Sequence, residues 1–260
     1  MKIIVLIKEV PDTWGDRTLH TETGLADREG SEKVLDEIGE RALEVALSYA
    51  DTDPDTEVVV MSMAPESAAA TIRKGMAMGA TSAVHVADDA LRGADLSLTS
   101  EVLAAALRQT GFDLIIMGNQ STDGIAGVLP AMIAEHLALP QLTGLVDVVV
   151  QPNRVSGRRV SDLAISEVSA DLPAVISITE ALPAGRLPNF KGIMAAKKKP
   201  YLSLTLADLG VDATRLDVPR SIMTAIADRP PREPGVKIVD EGDAGAKLAA
   251  FLREHRHIEG

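Results

Sequence analysis

The sequence predicts an open α/β fold: a mostly parallel sheet with helices on both faces, followed by an extended C-terminal arm. Three observations carry that expectation. Short continuous apolar runs at 3–7 (IIVLI), 58–63 and 114–117 have the length and β-branched content of strands buried on both faces. Segments with helical spacing of apolar residues separate them. After Pro140 the alternation stops, and from about residue 201 proline and charge dominate.

The elements follow in order. The run 3–7 is the first strand, and a turn-rich loop spans 11–30. Ser31 is placed to cap a helix over 32–49, whose inward stripe is Val34, Ile38, Ala42, Val45 and Tyr49. The aspartates at 51–55 break it before the second strand, 58–63. Pro65 opens a helix that ends near Met78, with Gly79 at its C-cap. A third strand is expected at 83–86, a helix at 95–109 closed by Gly111, and a fourth strand at 114–117. A glycine-rich turn at 118–127 leads into a helix from about Val128 to Leu137. Residues 145–150 and 155–160, joined through Pro152-Asn153, read as a hairpin, and 174–178 as another buried strand. Residues 182–200 have almost no periodicity. The division expected is 1–200 as the α/β domain and 201–260 as the arm, with a helix near 244–253. An interaction element and a surface-packed or disordered tail share that arm's composition, so both readings stand.

Composition removes several functions. The 260 residues include no cysteine, so there is no disulfide framework, thiolate metal site or cysteine nucleophile. Six aromatics (Trp14, Tyr49, Phe112, Phe190, Tyr201 and Phe251) are too few for a base-stacking platform. A net charge of −12 repels a phosphate backbone, so nucleic acid is not expected as a partner. No apolar run is long enough to span a bilayer, and the N-terminus reads as a strand and not a signal peptide, which points to a soluble cytoplasmic protein and not an integral membrane one. Charge is uneven. Residues 1–60 hold 15 acids against 6 bases, whereas 186–199 holds five bases (Arg186, Lys191, Lys197, Lys198, Lys199) and no acid. That basic segment suits docking to an acidic partner or an anion; a solvated lysine run looks the same.

The strongest chemical signal is LIIMGNQSTDGIAG at 114–127. Its strand ends at Gly118, and open α/β sheets bind ligands at strand C-termini. Gly124 and Gly127 permit close backbone approach, and the following helix offers free N–H groups to an anion such as phosphate. Asn119, Gln120, Ser121 and Thr122 add polar side chains. The string matches neither the dinucleotide fingerprint nor the P-loop, and an ordinary βα turn is the competing reading. His85 sits in an apolar strand, as a structural residue would. His136 lacks a second ligand one helical turn away, and His255 and His257 lie in the tail. With no nucleophile, acid–base pair or metal set to assemble, no catalytic residue and no metal site are expected. That favours a carrier or binding subunit.

At these residues the chain resembles the β subunits of electron transfer flavoproteins. The resemblance rests on IVLIKEVPDT (4–13), LDEIGERALEVA (35–46), IRKGMAMGA (72–80), GNQSTDG (118–124), LPAVIS (172–177) and FKGIMAAKKK (190–199), and extends over nearly the whole length. The last string is the most specific, because neither core packing nor turn chemistry requires it. The resemblance implies an adenine-nucleotide-binding, Rossmann-like domain. It also implies a heterodimer with an α subunit that holds most of an FAD, and an AMP without redox role in the β subunit. Electrons would come from acyl-CoA or other flavin dehydrogenases and pass to a quinone-linked oxidoreductase.

Carried over residue by residue, the resemblance puts AMP among Leu6, the segment Asp36, Glu37, Ile38 and Gly39, Met63, and 114–129. Within the last it involves Gly118, Asn119, Gln120, Ser121, Thr122, Asp123 and Gly124, with phosphate on amides near Gly127, Val128 and Leu129. Thr13 and Ile38 are the candidates for the flavin-facing edge. Segment 184–199 becomes the loop that recognises dehydrogenases, with Phe190 as its apolar anchor and Arg186, Lys191, Ile193, Met194, Lys197, Lys198 and Lys199 around it. Departures are visible. Many relatives read DGDTAQVGP where this chain has DGIAGVLP (123–130), so phosphate contacts would fall to backbone amides. A family Glu is replaced at Arg158-Arg159-Val160, and the EPRY before the recognition loop survives only as Arg186. Two alternatives are a bifurcating subunit with a second FAD in place of AMP, and a stand-alone adenine-nucleotide-binding protein of the stress type.

Overall fold

Apolar residues alternate across the first strand, β1 (Lys2–Leu6), and both sets are buried, so a helical layer must cover each face. The computed structural model describes residues 1–255 apart from 16, 29, 216, 228 and 233; His257 lies outside the described residues. The chain forms two compact units, Met1–Thr224 and Ala225–Gly260.

In the first unit the strands are β1, β2 (Glu9–Pro11), β3 (Lys33–Leu35), β4 (Glu57–Met63), β5 (Ser82–Val86), β6 (Leu114–Gly118), β7 (Gln141–Gln151), β8 (Arg154–Val160), β9 (Ile165–Asp171), β10 (Ala174–Ile178) and β11 (Tyr201–Leu204). The helices are α1 (Glu37–Ala50), α2 (Ala69–Met78), α3 (Leu96–Thr110), α4 (Leu129–Leu137), α5 (Phe190–Ala196) and the single turn α6 (Leu206–Leu209). Nine strands form one sheet in the order β11-β5-β4-β1-β6-β10-β7-β8-β9, parallel from β11 through β7 and antiparallel beyond. The fold class expected from the sequence is therefore observed. Ile3 and Val5 pack with α1 and α2 residues such as Leu43 and Met76. Ile4 and Leu6 pack with Val102 and Leu107 of α3 and Ile133 of α4. The core is aliphatic throughout, as the composition requires.

Several boundaries differ from the sequence reading. The helix expected over 32–49 begins at Glu37, because 33–35 pairs antiparallel with β2 as a small separate ribbon. Its cap is Asp36 and not Ser31. The expected hairpin is longer, at 141–151 and 154–160, and gains β9 as an outer strand. The aperiodic stretch 182–200 contains α5, capped by Asn189, whose side chain accepts from the Gly192 N–H at 2.8 Å. The sheet also continues past residue 200: β11 pairs in parallel with β5 at its edge. There Tyr201 Oη lies 2.8 Å from Nδ1 of the buried His85, whose Nε2 meets the Ala64 carbonyl at 2.9 Å. That is the structural role anticipated for His85.

The second unit contains α7 (Ala244–Glu254), which buries none of its residues and stacks Phe251 on His255. No helix among the described residues is long and apolar enough to cross a membrane.

Candidate functional site

The order of the sheet locates the site. From β1 the chain moves outward through β4 and β5, then returns to place β6 on the other side of β1. The crevice beyond the C-terminal ends of β1 and β6 is thus a topological switch point, where open α/β sheets bind ligands.

Three segments converge there. Beyond β1 the chain runs through Lys8 into the β2–β3 ribbon, which returns it to Asp36; the Asp36 N–H donates to the Lys8 carbonyl at 2.9 Å. Asp36 is 3% exposed. Its Oδ1 accepts from the Ile38 N–H at 3.0 Å and so caps α1, while its Oδ2 accepts from the N–H and Oγ1 of Thr122 at 2.7 and 2.9 Å. One carboxylate ties the start of α1 to the loop after β6. Gly118 makes the approach possible: a Cβ there would lie 2.8 Å from Cγ2 of Ile38.

The loop is held from within and without. Ser121 accepts the Ile125 N–H on its carbonyl at 3.0 Å and the Gly124 N–H on Oγ at 3.2 Å. The Asp123 carboxylate receives Lys8 Nζ at 2.7 Å and Arg28 Nη2 at 3.0 Å. Burial pushes its pKa up, and Lys8, Ser121 and Arg28 outweigh that, leaving the carboxyl below its ordinary range. Arg17 donates to the carbonyls of Thr122 and Pro11. Ile125 has φ +42°, strained for a β-branched residue, and Gly127 has φ +69°. Val128 gives α4 no side-chain cap, and Pro130 has no N–H, so Leu129 and Ala131 carry the amides of its first turn. Asn119 Oδ1 is buried and has no hydrogen-bond partner.

Leu6, Asp36, Ile38, Gly39 and the segment 118–124 are thus assembled around the crevice, with Met63 at the end of the neighbouring strand β4. Glu37 and Gln120 are exposed. Thr13 is exposed, whereas Ile38 is 4% exposed and packs into the core, so it forms no open edge. The sequence reading missed Lys8, Arg17 and Arg28. Lys8 directly follows the first apolar run, and that position was its signal; nothing in the loop at 11–30 marks the two arginines.

The segment expected to recognise dehydrogenases includes a surface helix with a buried foot. Ala196 is buried, and Gly192 sits so close to α2 that a Cβ would lie 2.3 Å from the Ala77 carbonyl oxygen. Leu187, Phe190, Ile193 and Met194 are exposed, Phe190 by 79%. Lys191, Lys197 and Lys198 are exposed as well. Two of the expected docking cations instead serve the fold. Arg186 forms ion pairs with Glu44 at 2.8 Å and Asp51 at 2.9 Å, and the bonds to these two carboxylates hold it more firmly protonated. Lys199 donates to the carbonyls of Met76 and Ala80 at the end of α2, and its burial lowers its pKa. Among the described residues no cluster suits a metal ion.

Comparison with known proteins agrees with this architecture. The electron transfer flavoprotein domain family matches residues 23–209. Electron transfer flavoprotein subunit beta of Mycobacterium tuberculosis is 43% identical over 257 residues, covering 96% of this chain and 97% of that protein. The Mycobacterium leprae protein of the same name is 44% identical over 257 residues with the same coverage. The Caffeyl-CoA reductase-Etf complex subunit CarD of Acetobacterium woodii is 32% identical over 212 residues, 81% of this chain and 80% of its own. On this family match and near-complete similarity, the chain belongs to the β subunits of the electron transfer flavoprotein family.

Proposed function

We propose that this chain pairs with an α subunit as a heterodimeric electron carrier. In this reading it holds AMP in the crevice beyond β1 and β6, helps to enclose an FAD carried mainly by α, and docks flavin dehydrogenases such as those for acyl-CoA through 184–199. Electrons then pass to a quinone-linked oxidoreductase. The observation that carries the nucleotide assignment is Asn119 Oδ1, a buried amide oxygen without a partner in a loop whose neighbouring groups are engaged. Such an atom costs about 1–3 kcal/mol if left bare, and an N–H or O–H of a bound adenosine would satisfy it. Asp36, Gly118, Asn119 and the loop through Gly127 would hold the nucleotide, with the uncapped start of α4 available to its phosphate.

The flavin supplies the redox chemistry. The protein residues bind and orient. The exposed apolar face of α5, beside Lys191, Lys197 and Lys198, supports dehydrogenase docking through an apolar anchor with cationic steering. The unburied α7, with exposed Val236, Val239 and Leu248 in the same unit, supports 225–260 as the arm that engages α. The relative from a caffeyl-CoA reductase complex keeps a second reading open, in which a second FAD replaces AMP.

Co-expression with the α subunit, followed by acid extraction, tests both. One FAD and one AMP per heterodimer is the expected result. Two FAD and no AMP establishes the bifurcating reading, and a colourless, partnerless chain overturns both. Deleting 225–260 is expected to abolish co-purification of α.

A further inference from the structure

Residues 1–60 are strongly acidic, with 15 acids against 6 bases, yet three of those six bases end on one short loop. Lys8, Arg17 and Arg28 all reach residues 121–123. Meanwhile several of the loop's own amides are already used. The N–H groups of Thr122, Gly124 and Ile125 donate to Asp36, Ser121 Oγ and the Ser121 carbonyl. A phosphate at this loop finds those backbone donors taken and side-chain cations in their place.

Lys8 is the best placed of the three. It stands just beyond β1, at the switch point. Its ammonium has three N–H donors, of which Asp123 Oδ1 takes one at 2.7 Å and Ser121 Oγ another at 3.3 Å. Its side chain is 43% exposed. A Cβ on Gly124 would lie 3.8 Å from Nζ, so the ammonium borders the stretch of loop with the least side chain in the way. Arg17, by contrast, spans two backbone carbonyls. Arg28 holds the far oxygen of Asp123 and leaves the near one to Lys8.

We propose that Lys8 is the residue that makes this site specific for a phosphorylated adenosine, with Asp123 and Ser121 positioning its ammonium toward the ligand. The proposal rests on the reading that the crevice takes an adenine nucleotide. It differs from a tether role, in which Lys8 would only hold the loop in shape. A tether supports every ligand of the crevice alike, whereas a phosphate-binding cation distinguishes AMP from adenosine.

The experiment is calorimetric titration of the nucleotide-free heterodimer with AMP and, separately, with adenosine, for wild type, Lys8→Met and Lys8→Arg. Flavin content checks that each variant is assembled, and Lys8→Gln replaces the Met variant should that one fail to assemble. Wild type is expected to bind AMP about tenfold or more tighter than adenosine, the scale of one charge-assisted hydrogen bond. In Lys8→Met the ratio falls about tenfold, to whatever the amides at the start of α4 sustain, while adenosine affinity stays as in wild type, and Lys8→Arg keeps most of the preference. An unchanged ratio in Lys8→Met, or an equal loss for both ligands, overturns the proposal. Binding of neither ligand to wild type removes the nucleotide reading itself, a failure seen before any variant is compared.

Discussion

Replacing Asp36 with Ala separates two duties of one buried carboxylate. Its Oδ1 caps α1 through the Ile38 N–H, and its Oδ2 accepts both the N–H and the hydroxyl of Thr122. Losing an N-cap of this kind costs about 1 kcal/mol. Stranding the Thr122 donors costs about 1–3 kcal/mol more, because water reaches a half-buried loop only in part. The expected destabilisation is therefore about 2–4 kcal/mol, read as a fall in the urea midpoint at unchanged slope. Asp36→Ser divides the total. A serine hydroxyl restores the cap and regains about 1 kcal/mol, but it is too short to serve both Ile38 and Thr122. Glu37→Ala, at the exposed neighbouring position, is the control and should stay within about 0.5 kcal/mol of wild type. The reasoning fails if Asp36→Ala is no worse than that control, or if Asp36→Ser is as stable as wild type.

Phe190→Ala should slow electron transfer from a partner dehydrogenase several-fold with melting temperature and flavin content unchanged, because the ring is 79% exposed; stopped-flow flavin reduction would show it. Gly192→Ala should give a similar loss without removing any side chain, since its Cβ would meet the Ala77 carbonyl at 2.3 Å and lift α5 off α2; proteolysis at 190–196 should rise in parallel. Lys199→Met removes an ammonium shared by carbonyls at the end of α2 and should destabilise the fold by about 1–3 kcal/mol in urea unfolding. For Asp123 the folded pKa lies below the ordinary 3.8, so its contribution is present above that value and lost as pH falls through the folded one. Asp123→Asn should therefore flatten the acid limb of the stability profile below about pH 4 and leave its neutral-to-basic slope unchanged.

The central strands could be read from sequence because burial on both faces makes them continuous apolar runs, and 3–7 and 114–117 are the clearest cases. The ribbon of β2 and β3 could not, since three residues carry no period. Val34 fell by chance on the helical stripe of α1, and the stripe extended the helix backwards past its true cap. Helix α5 was hidden for a different reason. It buries Ala196 through a glycine contact with α2, and a seven-residue helix held by a small-residue contact shows no periodic buried stripe. The strand ends and the glycine-rich turn identified where a ligand would sit. The charges that complete the site were invisible, because Lys8, Arg28 and Asp123 meet only through long-range packing.

The two basic regions of this acidic chain therefore differ in kind. The one at 186–199 is contiguous and stands out in the sequence, but Arg186 is committed to Glu44 and Asp51, and Lys199 to the end of α2. What stays exposed there is Phe190, Ile193 and Met194 with three lysines, a smaller charge than the sequence suggests. The one at the loop between β6 and α4 is scattered over residues 8–28, and the fold concentrates it on residues 121–123. Asp123 stands between two of those cations and pairs with both Lys8 and Arg28. The polar residues missing after Gly124 thus do not leave the loop without charge. On the role proposed for Lys8, their place is taken from another part of the chain, through a lysine two residues beyond the end of a buried strand.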